Sequence, residues 1–98
     1  MNKAQQMVNK ELSLQMKNWG LEHDIKYHGS EGLAEAAIII SQREEPKTDG
    51  YNGDEWFFVL WHKHKNDPIR RYAIAAAMLQ NAIECSIYER GLRFTGET

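Results

Sequence analysis

The chain has 98 residues, a net charge of −2 and one cysteine. Its apolar fraction of 42% and charged fraction of 27% are typical of a folded globular domain and exclude an intrinsically disordered chain. The slight acidic excess argues against bulk binding of nucleic acid through its phosphates, and the lone Cys85 excludes a disulfide within the chain.

The first predicted element is a helix from Asn2 to Trp19. Apolar residues recur there every three or four positions and therefore share one side of a helix; they are Ala4, Val8, Leu12, Met16 and Trp19. Gly20 follows at the position where a glycine commonly ends a helix.

The middle of the chain favours strands. Ile25 and Tyr27 alternate with charged residues, which predicts a short edge strand within 21–28. The β-branched run Ile38–Ile40 favours a strand over Leu33–Arg43, although the alanines at its start favour helix. Residues 44–53 contain Pro, Asp-Gly and Asn-Gly and predict a flexible loop.

The clearest predicted strand is Asp54–Lys65, which is apolar on both faces in its middle. Asp67 and Pro68 then predict a helix start, and the helix should continue to about Arg90 and end at Gly91. The order α-β-β-β-α predicts a single α+β domain over residues 1–98, with a small antiparallel sheet of two to three strands and both helices on one face.

The last helix is apolar on two sides. A broad face should cover the sheet, and it consists of Ile69, Tyr72, Ala73, Ala76, Leu79, Ile83 and Ile87. Ile74, Met78 and Cys85 lie nearly opposite and therefore need a second neighbour, which could be the first helix or a partner chain.

This surplus of apolar surface predicts a protein interface, and the chain is expected to form homo-oligomers or to dock on a larger protein. The candidate interface residues are Trp56, Phe58, Trp61, Ile74 and Met78. The alternative is a domain in which one helix covers each face of the sheet and no surplus remains.

A basic corner, consisting of Lys63, Lys65, Arg70 and Arg71, straddles the end of the third predicted strand and the start of the last helix. Such a corner could bind an anion or a nucleic-acid backbone. The element order and the alanine-rich final helix resemble the double-stranded-RNA-binding domain, which grips phosphates with a basic motif in about this place. The lysine-lysine-x-alanine-lysine motif of that family is absent.

No arrangement of residues predicts catalysis, a metal or a cofactor. His62 and His64 would share one strand face about 7 Å apart, but a zinc site needs three or four ligands. Cys85 lies near a helix C-terminus, which disfavours a reactive thiolate and indicates a structural thiol. The acid pairs Glu44-Glu45 and Asp54-Glu55 flank a polar loop and are expected to be solvated.

The sequence therefore predicts a small, non-enzymatic binding or regulatory protein, such as an adaptor or a phage-type inhibitor of a larger protein. The first 18 residues lack an apolar targeting segment, and the apolar runs 36–40 and 56–61 are too short to span a bilayer, so we expect a cytoplasmic protein. A nucleic-acid-binding module that uses the basic corner is the alternative function.

Overall fold

The structure is a computed structural model that describes residues 2–18, 29–47 and 55–93. Those residues form four helices and contain no strand. The helices are α1 (Lys3–Asn18), α2 (Gly29–Ser41), α3 (Trp56–Lys63) and α4 (Pro68–Arg93). The α+β fold class predicted from the sequence is wrong for this part of the chain. The resemblance to the double-stranded-RNA-binding domain depended on a three-stranded sheet, and the described residues do not form one.

Both long predicted helices are confirmed. Asn2 starts α1, and its side chain accepts a 2.8 Å hydrogen bond from the Gln5 backbone N–H. Asp67 starts α4 in the same way, because its Oδ1 accepts from the Arg70 backbone N–H at 3.1 Å. The predicted stop at Gly91 is wrong, since α4 continues to Arg93.

Two predicted strands are helices. The β-branched run Ile38–Ile40 lies within α2, where Ile39 and Ile40 are buried and Ile38 is exposed. The aromatic run in α3 buries Phe58 and Trp61, which are three residues apart and therefore share one face of a helix. Both apolar runs are thus buried as helices without a sheet, because packing overrides the local preference for strand.

The remaining middle segments are only partly described. The predicted edge strand at 21–28 lies outside the described residues, as do residues 48–53 of the predicted loop. Residues 44–47 are described, and they are irregular, in agreement with the loop prediction.

The helix α4 organises the described part of the fold. It packs most extensively on α2, and it also packs on α1. Ser30 at the start of α2 bonds Glu89 near the end of α4, whereas Ile40 near the end of α2 contacts Arg71, so the two helices are antiparallel. The core between them contains small residues that allow close approach of the backbones: Ala36, Ala37, Ala75, Ala82 and Cys85.

The other two helices complete the core. The helix α1 is joined to α4 through Gln15. The Gln15 Nε2 donates a 3.5 Å hydrogen bond to the Ile74 carbonyl, and the Gln15 Oε1 accepts a 2.7 Å hydrogen bond from the Asn81 side chain. The helix α3 packs on α2 and brings Trp56, Phe57 and Leu60 against the core cluster.

Candidate protein-binding surface

The two apolar sides of α4 differ in burial: one side faces the core and the other is largely exposed. Ile74, Met78 and Cys85 are at most 5% exposed and face the core. The opposite side carries the large apolar residues that the sequence analysis expected to cover a sheet, and most of them are exposed. The prediction that α4 is apolar on two sides is confirmed, but the assignment of the inward face is wrong.

We call the exposed side the α4 stripe. Its exposed members have 45% to 62% of their surface accessible, and the half-buried Ala76 lies between them; the stripe consists of Ile69, Tyr72, Ala76, Leu79, Ile83 and Ile87. These residues follow one another at spacings of three and four, which places them along a single line on the helix. From Ile69 to Ile87 the stripe is about 27 Å long, since an α-helix rises ~1.5 Å per residue.

An open groove lies beside the carboxyl-terminal half of the stripe, between α2 and α4. Its volume is about 670 Å³. Its apolar lining residues are Ala34, Leu79, Ala82, Ile83 and Ile87. The charged residues in its lining are Glu31 and Arg90. A wide apolar trough between two helices suits an amphipathic helix, which buries residues at helical spacing in such a groove.

The exposed charges near the stripe differ between its two ends. Glu31 and Glu84 are exposed near the carboxyl-terminal half, where Arg90 offsets one of them. Lys63 and Lys65 are exposed just before the amino end of α4, where Asp67 offsets one of them. Glu35 is also exposed, one turn along α2 from Glu31. The stripe therefore has a more acidic end and a more basic end.

The interface residues predicted from the sequence lie mainly in the core of the chain. Phe58, Trp61, Ile74 and Met78 are at most 6% exposed, and Trp56 is half-buried against the core cluster. The predicted role of Trp56, Phe58 and Trp61 depended on a strand in a sheet, and no sheet is present in the described residues. Ile74 and Met78 were predicted from the second apolar side of the last helix, and that side is covered within the chain. A partner could reach the four buried residues only if the helices separated.

Trp61 has a structural role that the sequence did not reveal. Its indole Nε1 donates a 3.0 Å hydrogen bond to the Gln42 carbonyl just after the end of α2. The Arg71 guanidinium lies 5.3 Å from the Trp61 ring centroid, which is within the range of a cation–π contact. Trp61 and Arg71 together hold the end of α2 against α3 and α4.

The structure separates the four residues of the basic corner. Arg71 is 3% exposed, and it donates to the carbonyl oxygens of His64, Ile40 and Gln42. Arg70 Nε donates to Glu11 Oε1 of α1 at 3.1 Å. Lys63 and Lys65 remain exposed. Two of the four predicted anion-binding residues, Arg70 and Arg71, are thus hydrogen-bonded to acceptors within the chain.

The histidines of this corner are also separated. His62 lies in the last turn of α3, and its Nε2 is 3.5 Å from Glu45 Oε1. His64 lies in the turn after α3, where burial lowers its pKa below the ordinary value of 6.5 and the charges of Arg70 and Lys63 lower it further. The predicted strand face that would align both imidazoles is absent. Among the described residues, no group of three or more His, Cys, Asp or Glu side chains could hold a metal ion.

The sequence analysis identified the stripe as an apolar face but missed its exposure, because it expected that face to cover a sheet. The face that packs on α2 is instead the one that combines small residues with Ile74 and Met78. The signal for that face is the small residues on both helices: Ala75 of α4 packs in one cluster with Ala36 and Ala37 of α2, and Ala82 and Cys85 pack in a second cluster with Leu33. Small residues facing one another allow two helices to pack closely, and their spacing is visible in the sequence.

Comparison with known proteins returns nothing: no protein-family model, no curated protein and no solved structure matches this chain. No described helix has a stretch of sufficient length and apolar character to cross a membrane.

Proposed function

We propose that this chain is a small, non-enzymatic binding protein of the cytoplasm, which acts as an adaptor or inhibitor by seating an amphipathic helix of a protein partner along the α4 stripe. The observation that carries the proposal is the stripe itself. Five large apolar side chains, each 45% or more exposed, lie along one line of a helix beside an apolar groove. A contiguous exposed apolar patch is typical of a protein interface.

Burial of this stripe is the energetic reason for binding. Covering an isoleucine or leucine side chain completely contributes roughly 1.5–3 kcal/mol. Ile83 and Ile87 are each 60% exposed, so a partner that covers them would provide more than half of that free energy for each residue.

A capture experiment with matched variants tests the proposal. The full chain, Ile83→Glu and Val59→Glu are each immobilised and exposed to cell extract, after circular dichroism has shown that all three retain their helix content. Val59 is 53% exposed on α3, so its replacement introduces the same charge away from the stripe. We expect a protein that is held by the wild-type chain and by Val59→Glu, and that is lost with Ile83→Glu. Equal capture by all three would contradict a role of the stripe.

The nucleic-acid alternative is supported by no contact in the described structure. Arg71 is buried, so replacing it would disturb the fold before it could report on phosphate binding. The appropriate test of that alternative is Lys63→Glu combined with Lys65→Glu, because both residues are exposed. Salt-dependent binding of RNA or DNA that this double variant abolishes would favour the alternative.

A further inference from the structure

We propose that the helix seated on the α4 stripe is α4 of a second copy of this chain, packed antiparallel about a two-fold axis that passes close to Ala76 and Leu79. This inference rests on the stripe as the protein-binding surface proposed above, and it assigns that surface to a second copy in place of a different protein. Three properties of the described surface point to a second copy: the spacing of the stripe, the distribution of charge along it and the area that it can bury.

The spacing of the stripe is that of a self-pairing helix. Successive members from Ile69 to Ile83 are separated by three, four, three and four residues. This is the heptad pattern with which one helix packs knobs into the holes of another. A two-fold interface uses the same patch on both subunits, so a helix that carries such a seam supplies both halves of the contact. Ile69 of one copy would then lie opposite Ile87 of the other.

The charge around the stripe selects the antiparallel orientation. An antiparallel pair places the carboxyl-terminal half of one stripe, where Glu31 and Glu84 outnumber Arg90, near the amino end of the other. Lys63 and Lys65 outnumber Asp67 at that amino end. A parallel pair would instead bring the two more acidic ends together and the two more basic ends together, which costs free energy. Antiparallel packing also opposes the two helix dipoles favourably.

The area available is that of a small, reversible dimer. The stripe is about 27 Å long, the 13 residues of α2 beside it extend about 20 Å, and each helix is ~10 Å across. The footprint is therefore about 470 Å² per copy, or roughly 900 Å² for both, which is close to the ~1,000 Å² expected of a biological interface.

The molar mass of the purified full chain, measured by sedimentation equilibrium over a wide range of concentration, is the first test. We expect a reversible monomer–dimer equilibrium. Ile83→Glu should raise the dissociation constant by at least ~100-fold, because each dimer would bury two uncompensated carboxylates. Val59→Glu should change the constant by no more than about twofold, since it adds its charge on α3, outside the stripe. A chain that is monomeric throughout, or a dimer that Ile83→Glu leaves intact, would overturn the proposal.

Cysteine cross-linking tests the orientation. Ile69→Cys and Ile87→Cys are prepared separately with tags of different length and oxidised either alone or mixed. An antiparallel dimer places these two positions within disulfide reach of each other, so only the mixture should give a cross-linked dimer in high yield. Cross-linking of each variant with itself would overturn the antiparallel arrangement. The wild-type chain controls for Cys85, which is fully buried.

Failure of this inference can be distinguished from failure of the proposed function. A purified chain that stays monomeric, but captures another protein in a manner sensitive to Ile83→Glu, excludes the second copy and retains the stripe as a binding surface. A monomeric chain whose captured proteins are the same with and without Ile83→Glu excludes both.

Discussion

The two sides of α4 are both apolar, yet they differ in the size of their residues and in their surroundings. The inward side combines Ile74 and Met78 with alanines and Cys85, and it packs closely on α2. The outward side consists mainly of large apolar residues, such as Ile83 and Ile87, which are each 60% exposed. The difference shows that the side with more small residues packs within this chain, whereas the side with mainly large apolar residues is left exposed.

The largest expected effect compares two adjacent residues on opposite sides of α4. Met78 is 4% exposed and Leu79 is 45% exposed. We expect Met78→Ala to lower the free energy of unfolding by about 2–5 kcal/mol, since it leaves a cavity in the core. Leu79→Ala should cost no more than about 1 kcal/mol, because much of that side chain is already in water.

Urea denaturation checks this pair, at a concentration where sedimentation shows the chain to be monomeric. That condition matters because association would add to the apparent stability. Equal losses for the two variants would mean that the inward and outward sides of α4 are not distinct in solution.

A second comparison concerns the two ends of α4. Arg71 near the amino end is buried and donates to three backbone carbonyls, whereas Arg90 near the carboxyl end is exposed. We expect Arg71→Met to cost about 3 kcal/mol, since buried acceptors left without a donor each cost ~1–3 kcal/mol. Arg90→Met should change stability by about 0.5 kcal/mol or less. Thermal unfolding followed by circular dichroism measures both, and a tolerated Arg71→Met would contradict the anchoring role of Arg71.

The smallest expected effect is a pH dependence at the amino end of α4. Burial first, and then Arg70 and Lys63, lower the pKa of His64 in the folded chain below 6.5, while Glu11 and Asp67 oppose that shift. As the pH falls below about 6.5, the unfolded chain therefore takes up a proton at His64 before the folded chain does, and stability decreases. The loss stops once the pH is below the pKa of the folded state.

Replacement of the imidazole isolates this contribution. The free energy of unfolding is measured between about pH 7.5 and 5 for the wild-type chain and for His64→Gln, which cannot take up the proton. We expect the wild-type chain to lose more stability over this range than the variant. Identical pH profiles would show that His64 is not desolvated in the folded chain.

The outer helices and the middle of the chain differ in how well the sequence predicted them. The first and last helices were predicted to within a few residues, because apolar residues at helical spacing and the Asp67 cap point to the same structure. The run from Trp56 to Trp61 is apolar at every position, so it fits the strand period and the helix period equally well. The Ile38–Ile40 run adds a β-branched preference that packing overrides.

The sequence by itself determined the presence and approximate extents of α1 and α4, the start of α4 at Asp67 and the presence of apolar residues on both sides of α4. These properties follow from local spacing and from capping within a few residues. Only the tertiary structure decided that the middle segments are helices and that the side with Met78 faces inward. Those outcomes depend on how Ala36 and Ala37 of α2 meet Ala75 of α4, and on how Leu33 meets Cys85. The small residues of each helix are visible in the sequence, but which of them meet across distant parts of the chain is not encoded in any local pattern.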